Sequence, residues 1–202
     1  ITLRHKKWDP AFLAYMKDAF ISARNKTSHL FYKHLLKKIF FRMDPEAIHE
    51  RMTYAGKLLG SNLFTRKAVA LGFSYKNKKL EQTIASIHFP NPVGLAAGFD
   101  KNAELLSILP SIGFGFIEVG SITGEPCEGN PKPRLWRLPK SKSLVVYYGL
   151  KNRGCEAIAK KLEKTKCAVP YGVSIAKTNC RETVPLKKGI ADYVKAYRTL
   201  KD

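Results

Sequence analysis

The sequence predicts an α/β fold built on parallel strands and preceded by a helical region, and three observations predict it. Short apolar runs at 93–97, 114–122 and 171–176 read as strands buried on both faces. Helical patterns at 103–112 and 155–164 lie between them, and strand, helix and strand in repetition mean parallel pairing. Ahead of the polar stretch Ser74 to Lys79 the apolar spacing is helical instead. The chain has 202 residues, 45% of them apolar, which is enough to bury a core.

Each element has its own local reason. In Leu30 to Met43 the apolar Phe31, Leu35 and Ile39 share a stripe with Tyr32, Leu36 and Phe40, while Lys33, His34, Lys37, Lys38 and Arg42 lie opposite. That pattern predicts an amphipathic helix. The next helix starts at the N-cap Asp44, with Pro45 at its first position and Glu46 in its first turn, where a carboxylate opposes the positive end of the dipole. It is expected to run to Leu59 and stop at Gly60. Trp8, Phe12, Tyr15, Met16 and Phe20 also have helical spacing, but Pro10 and the local charge leave their docking open. Alternation in Thr83 to His88 predicts a short strand ending at the turn Pro90-Asn91-Pro92. Between the second and third buried strands lies an insertion, Thr123 to Asn152, rich in Pro, Gly and Lys and too long for an ordinary connection. A hairpin is expected inside it, Arg134 to Leu138 pairing with Leu144 to Tyr148.

Composition limits the function classes. The net charge of +20 implies attraction to anionic surfaces such as phospholipid or nucleic acid, although a general preference for Lys gives the same total. Its distribution says more: Ile1 to Arg42 holds ten Lys or Arg against two Asp, about twice the basic surplus per residue of the remainder. The four cysteines are far apart, with no Cys-x-x-Cys pair and no metal-ligand spacing, so reduced thiols and no metal site are expected. No apolar run approaches the roughly 20 residues of a membrane span. No signal peptide is visible, and Ile1 is not an initiating methionine, so a start upstream is expected.

Candidate chemistry gathers at the ends of the three buried strands. In Asn91 to Lys101, small residues including Ala97 and Gly98 let the backbone approach a flat or phosphorylated ligand, and Lys101 can meet its negative charge. The plainer alternative is a tight turn with a surface lysine at a helix start. Gly113 to Ser121 ends in a small hydroxyl residue, and Gly172 to Asn179 brings further small and polar groups to the same mouth. The basic residues of Gly129 to Leu138 read, on spacing alone, as a solvated rim.

In order and spacing, Asn91 to Lys101, Gly113 to Ser121, Gly129 to Leu138, Gly149-Leu150-Lys151-Asn152 and Gly172 to Asn179 resemble dihydroorotate dehydrogenase. The front, with Met43-Asp44-Pro45-Glu46 and His49-Glu50, resembles the amino-terminal domain of the quinone-linked class. The resemblance implies an FMN-bearing (β/α)8 TIM barrel, incomplete in this chain, that oxidises dihydroorotate to orotate and passes the electrons to a membrane quinone in pyrimidine (UMP) biosynthesis. It divides the chain into a basic extension (1–29), a helical membrane- and quinone-associated domain (30–73) and the first part of the barrel (80–202). By the same resemblance Ala97, Gly98, Lys101, Ser121 and Ser174 contact the flavin. Lys101 with the loop Val146, Tyr147, Tyr148, Gly149 and Leu150 faces the substrate. A serine general base and the phosphate-holding loops are expected beyond residue 202, so no catalytic base is named, and the fragment alone is expected to be inactive. The implied location is peripheral, on an anionic membrane surface at the cytoplasmic face of a bacterial inner membrane, with no nucleic-acid partner.

Two departures weaken substrate identity more than cofactor identity. Val146 stands where the family commonly has an Asn, and Ser174 replaces a flavin-contacting Asn, although its hydroxyl can still donate and accept. The alternatives are another FMN barrel oxidoreductase, acting on a different pyrimidine or on tRNA uridines, and a non-enzymatic basic protein binding membrane or nucleic acid.

Overall fold

The computed structural model describes residues 9–201, and the chain forms two compact units, 1–43 and 44–202. In the first, helix α1 (Pro10–Phe31) passes through a wider π-type turn, Tyr32–Leu36, into the short α2 (Lys37–Phe40). The boundary expected at residue 29 therefore falls inside a continuous helix. Apolar spacing from Phe12 through Phe20 had already pointed to it; Trp8 lies outside the described residues. Along this helix Phe20, Phe31, Tyr32, Leu35 and Ile39 are exposed, beside exposed Lys33, Lys37 and Lys38.

The second unit begins with α3 (Pro45–Gly60), where the Asp44 carboxylate accepts from the Ala47 amide at 2.8 Å as the spacing predicts. Asn62 caps α4 (Leu63–Phe73), which packs on the later helix α5. The expected strand at 83–88 is instead a hairpin, β1 (Gln82–Ile84) against β2 (Ile87–Phe89). Its turn residues Ala85 and Ser86 take φ of 49° and 63°, a left-handed pair that neither residue type advertises.

Three parallel strands, β3 (Gly94–Leu95), β4 (Phe116–Ile122) and β7 (Tyr171–Ile175), form the sheet in the order β3, β4, β7. The first is shorter than the expected 93–97, because beyond Leu95 the chain turns and Gly98 N–H reaches across to Gly120 C=O at 2.7 Å. The helix expected over 103–112 is only α5 (Leu109–Ile112). Two local causes account for that. The Asp100 carboxylate accepts the amides of Glu104 (2.7 Å) and Leu105 (2.8 Å), which ties the chain into turns. Pro110 lacks an N–H, and within a helix from residue 103 its ring would strike the Leu106 carbonyl.

The insertion carries the expected hairpin, β5 (Leu135–Leu138) with β6 (Ser143–Val146), Leu135 opposite Val146. Helices α6 (Cys155–Leu162) and α7 (Leu186–Leu200) then cover one face of the sheet. On that face Ile117 and Val119 pack with Leu106, Leu109, Ile158 and Ala196. Burying each large aliphatic side chain there contributes roughly 1.5–3 kcal/mol. The opposite face of β4 shows Glu118 exposed, and past the register irregularity between Val119 and Ile122, which restores Ile122 to the core, Ser121 is half-buried. No helix among the described residues is long and apolar enough to cross a membrane, and none of their His, Cys, Asp and Glu side chains cluster to hold a metal.

Candidate functional site

The ends of the three parallel strands are drawn together by backbone bonds. Gly98 donates to Gly120, Gly120 donates to Asp100 at 3.0 Å, and Ala176 donates to Ile122 at 2.9 Å. This brings the Ser121 and Ser174 hydroxyls to 2.8 Å from one another. Gly98 sits at φ +103°, and a Cβ placed on it would meet no atom within 4 Å, so its outer side is open. A Cβ at Gly120 would press on the Ser174 carbonyl instead, so that glycine closes the contact between strands.

The insertion folds back beside these ends. Asn152 ties it down: its side chain donates to the Thr123 hydroxyl at 2.7 Å and accepts from the Gly154 amide at 2.8 Å, and its backbone bridges Cys127. Between the insertion, α3 and the loop after β3 lies a cavity of about 1010 Å³, whose walls include His49, Thr53, Phe99, Lys101, Arg134 and Tyr148. One wall is held by a pair the sequence did not single out. Arg134, 4% exposed, meets the carboxylate of Glu46, 3% exposed, through Nη2 at 2.8 Å and Nε at 3.1 and 3.2 Å. Its Nη1 donates to the carbonyls of Glu128 and Asn130, both at 2.8 Å. The solvated-rim reading thus fails for Arg134. Lys151 joins the same wall, 3.1 Å from Glu50 and 3.6 Å from Glu46.

Charge states follow from these placements. The Arg134 guanidinium holds the Glu46 carboxyl below the usual range, against the opposing effect of burial. Burial pushes the Lys101 ammonium down, and nearby Lys151 acts in the same direction. Burial and then the Lys101 charge lower His49, whose ring stacks edge-on against Phe99 with centroids 5.0 Å apart. The Tyr148 phenol is pushed up to about 12, chiefly by burial, and therefore stays neutral at physiological pH.

The site residues anticipated from sequence are distributed unevenly. Ser121 and Ser174 meet, and Ala97 and Gly98 lie on the adjoining strand end. Lys101 is half-buried, not a free surface lysine, and shares the cavity wall with Tyr148. Val146 and Tyr147 are on the exposed hairpin, at 60% and 62% exposure, outside that wall. Gly149 and Leu150 follow with φ of 69° and 62°. Glu46 had been read only as a dipole partner, and Arg134 only as rim charge. The one sequence signal that both face inward is their setting beside prolines and apolar residues, Pro45 and Ala47 for one, Pro133 and Leu135 for the other.

Comparison with known proteins agrees with this frame. The family model described as dihydroorotate dehydrogenase matches residues 79–202. A dihydroorotate dehydrogenase (quinone) of Chloroflexus aurantiacus is 37% identical over 180 residues, covering 87% of this chain and 49% of that protein. A second, from Mycolicibacterium smegmatis, is 37% identical over 173 residues, with 82% and 46% covered. The chain thus spans about half the length of these curated relatives. Among solved structures, DHODH from Eimeria tenella in complex with ferulenol superposes with a TM-score of 0.52 at 31% identity, over 74% of this chain and 41% of that one. The matched segment contains all three parallel strands and the whole insertion, so sequence, strand order and relatives converge: the chain belongs to the dihydroorotate dehydrogenase family.

Proposed function

We propose that this chain forms the first part of a site where dihydroorotate is oxidised to orotate, with FMN as the immediate electron acceptor and a membrane quinone as the final one. The observation that carries the reading is Lys101, a half-buried cation in the loop after β3 on the wall of the large cavity. The residues present fit a flavin: the open side of Gly98 leaves room for a planar ring against the backbone. Within the Ser121–Ser174 pair one hydroxyl hydrogen is used between the two oxygens, and the other is free to reach a ring heteroatom. When bound, FMN supplies a two-electron acceptor for the hydride leaving the substrate.

The Lys101 ammonium then has two tasks. It pairs with the substrate carboxylate, and it favours negative charge on the ring as reduction proceeds. Because its surroundings are partly dry, that charge acts more strongly than it would in water. Val146 offers no polar atom beyond its backbone, and Tyr147 lies with it outside the cavity wall, so the polar contacts this loop offers the substrate are the backbone groups of Gly149 and Leu150. Removal of the substrate proton is assigned to no residue of this chain.

We assign the acceptor side to the part of the cavity beside α3, a reading supported by the word quinone in the names of the relatives. The exposed stripe of Phe31, Tyr32, Leu35 and Ile39, flanked by Lys33, Lys37 and Lys38, suits an anionic membrane surface and a peripheral location at the inner face of a bacterial membrane. Lys101→Ala tests the core of the reading. In the full-length protein, flavin bleaching by dihydroorotate in stopped flow is expected to slow about 100-fold, a loss typical of removing an oriented electrostatic group, while flavin retention changes less. An unchanged bleaching rate would return Lys101 to a surface role.

A further inference from the structure

We propose that Tyr148 is the positioning residue for Lys101: its neutral ring holds the ammonium in place without cancelling its charge, and links it to Arg134 of the insertion, which pairs with Glu46 on α3. Lys101 Nζ lies 4.2 Å from the centroid of the Tyr148 ring, and Arg134 Cζ lies 5.1 Å from the same centroid. Among the described residues the Lys101 ammonium has no salt bridge and no hydrogen bond, so the ring is its directional contact.

The chemistry of the partner matters. A carboxylate in this place would hold Lys101 more tightly, but it would neutralise the charge and compete with an incoming anion. A phenolate would do the same. Tyr148 does neither, because its hydroxyl is buried, has no hydrogen-bond partner among the described residues, and keeps its proton. What remains is the ring quadrupole, which attracts the cation and leaves its full charge available to a ligand. Two cations on one ring would repel each other, but Arg134 is already paired with Glu46 at 2.8 Å. The remaining charged or titratable groups near Lys101 are Lys151, Asp100 and His49.

The main chain that carries this ring is fixed by backbone hydrogen bonds. Tyr147 N–H donates to Arg134 C=O at 2.8 Å, and Tyr148 C=O accepts from Asn130 N–H at 3.0 Å. Gly149 turns at φ +69° directly against Asn130, where a Cβ would come 2.6 Å from its side chain. The base of the hairpin therefore fixes Tyr148, Tyr148 fixes Lys101, and Arg134 transmits the position of α3 to both.

This inference rests on the proposed role of Lys101, so its test includes a readout free of that role. Lysines labelled with ¹³C-methyl groups are followed by NMR through a pH titration, with Lys101 assigned from Lys101→Arg, in wild type, Tyr148→Phe and Tyr148→Leu. The Phe variant is expected to keep the wild-type midpoint. In the Leu variant, where the ammonium stays desolvated but loses the ring, the midpoint is expected to move to lower pH. Tyr148→Met gives the same comparison should Leu not fold. In the full-length protein, flavin reduction by dihydroorotate is expected to slow about fivefold in Leu or Met, with a raised KM for dihydroorotate and rescue in Phe. A midpoint in Leu or Met that is unchanged, or moved to higher pH, overturns the proposal. A lowered midpoint with an unchanged reduction rate supports Tyr148 as the positioning residue and overturns the catalytic reading of Lys101.

Discussion

Replacing Glu46 by Gln removes one charge from the wall between α3 and the insertion while nearly preserving its volume. Arg134 then keeps the carbonyls of Glu128 and Asn130, but of its contacts of 2.8, 3.1 and 3.2 Å to the carboxylate only those to one oxygen can persist, now to a neutral acceptor, while the amide NH2 faces the guanidinium. Removing one member of a buried pair costs about 3–5 kcal/mol, because the other charge stays desolvated. Here the guanidinium borders a large cavity that water can enter, which moves the expected cost to about 2–3 kcal/mol. The further loss for Lys132, 3.5 Å away and 60% exposed, falls within the roughly 0–1 kcal/mol of a surface pair. Such a cost lowers the unfolding midpoint by roughly 5–10 °C in a unit of this size. Thermal or urea unfolding at neutral pH measures it. The pH dependence provides a second test. In the folded state Glu46 is held below its ordinary range, so its contribution is complete above the unfolded carboxyl's pKa and is lost as pH falls through the lower folded value. Glu46→Gln should therefore unfold with a shallower loss of stability below about pH 4 than wild type. A cost under about 0.5 kcal/mol, with the same acid profile in both proteins, would refute the claim that this pair anchors α3.

Gly98→Ala should cost only the roughly 1–2 kcal/mol of a non-glycine residue at positive φ, since the added methyl meets no protein atom. If the flavin ring lies there, FMN affinity falls more than stability does, and equal losses in fluorescence titration and unfolding would argue against the cradle. Asp192→Ala strips acceptors from the Thr178 amide and hydroxyl, both 2.7 Å away, and should destabilise the protein by about 2–3 kcal/mol in urea titrations; a near-neutral result would mean that water replaces the carboxylate there. Deleting residues 1–43 should abolish flotation with anionic liposomes, and equal flotation after the deletion would place the membrane contact elsewhere.

Much of the fold was legible in order along the chain. The N-cap at Asp44, the parallel strands expected over 114–122 and 171–176 and found at 116–122 and 171–175, and the hairpin within the insertion each depend on interactions between residues close in sequence or on an apolar period. Elements governed by backbone detail were misread. At Ala85 and Ser86 the chain adopts positive φ without Gly or Asn to announce it, so one strand became two. Asp100 and Pro110 together shorten a helix whose apolar pattern is otherwise complete.

The division is sharper at the candidate site. Residue types at strand ends point only to a mouth of small and polar groups with a cation beside it, because a close backbone approach requires small residues and an anionic ligand requires a cation; the family resemblance is what singles out Ala97, Gly98, Lys101, Ser121 and Ser174. Sequence could not say which charges face each other across 88 positions. Glu46 looked like a helix-dipole carboxylate and Arg134 like a rim cation, and only the folded chain makes them a buried pair. Tyr148 was likewise one loop residue among several until its ring came within 4.2 Å of Lys101. Local pattern and family order thus determined which elements form and which family they belong to. Tertiary structure alone decided which side chains share a wall, because pairing across the fold depends on distances that no spacing along the chain encodes.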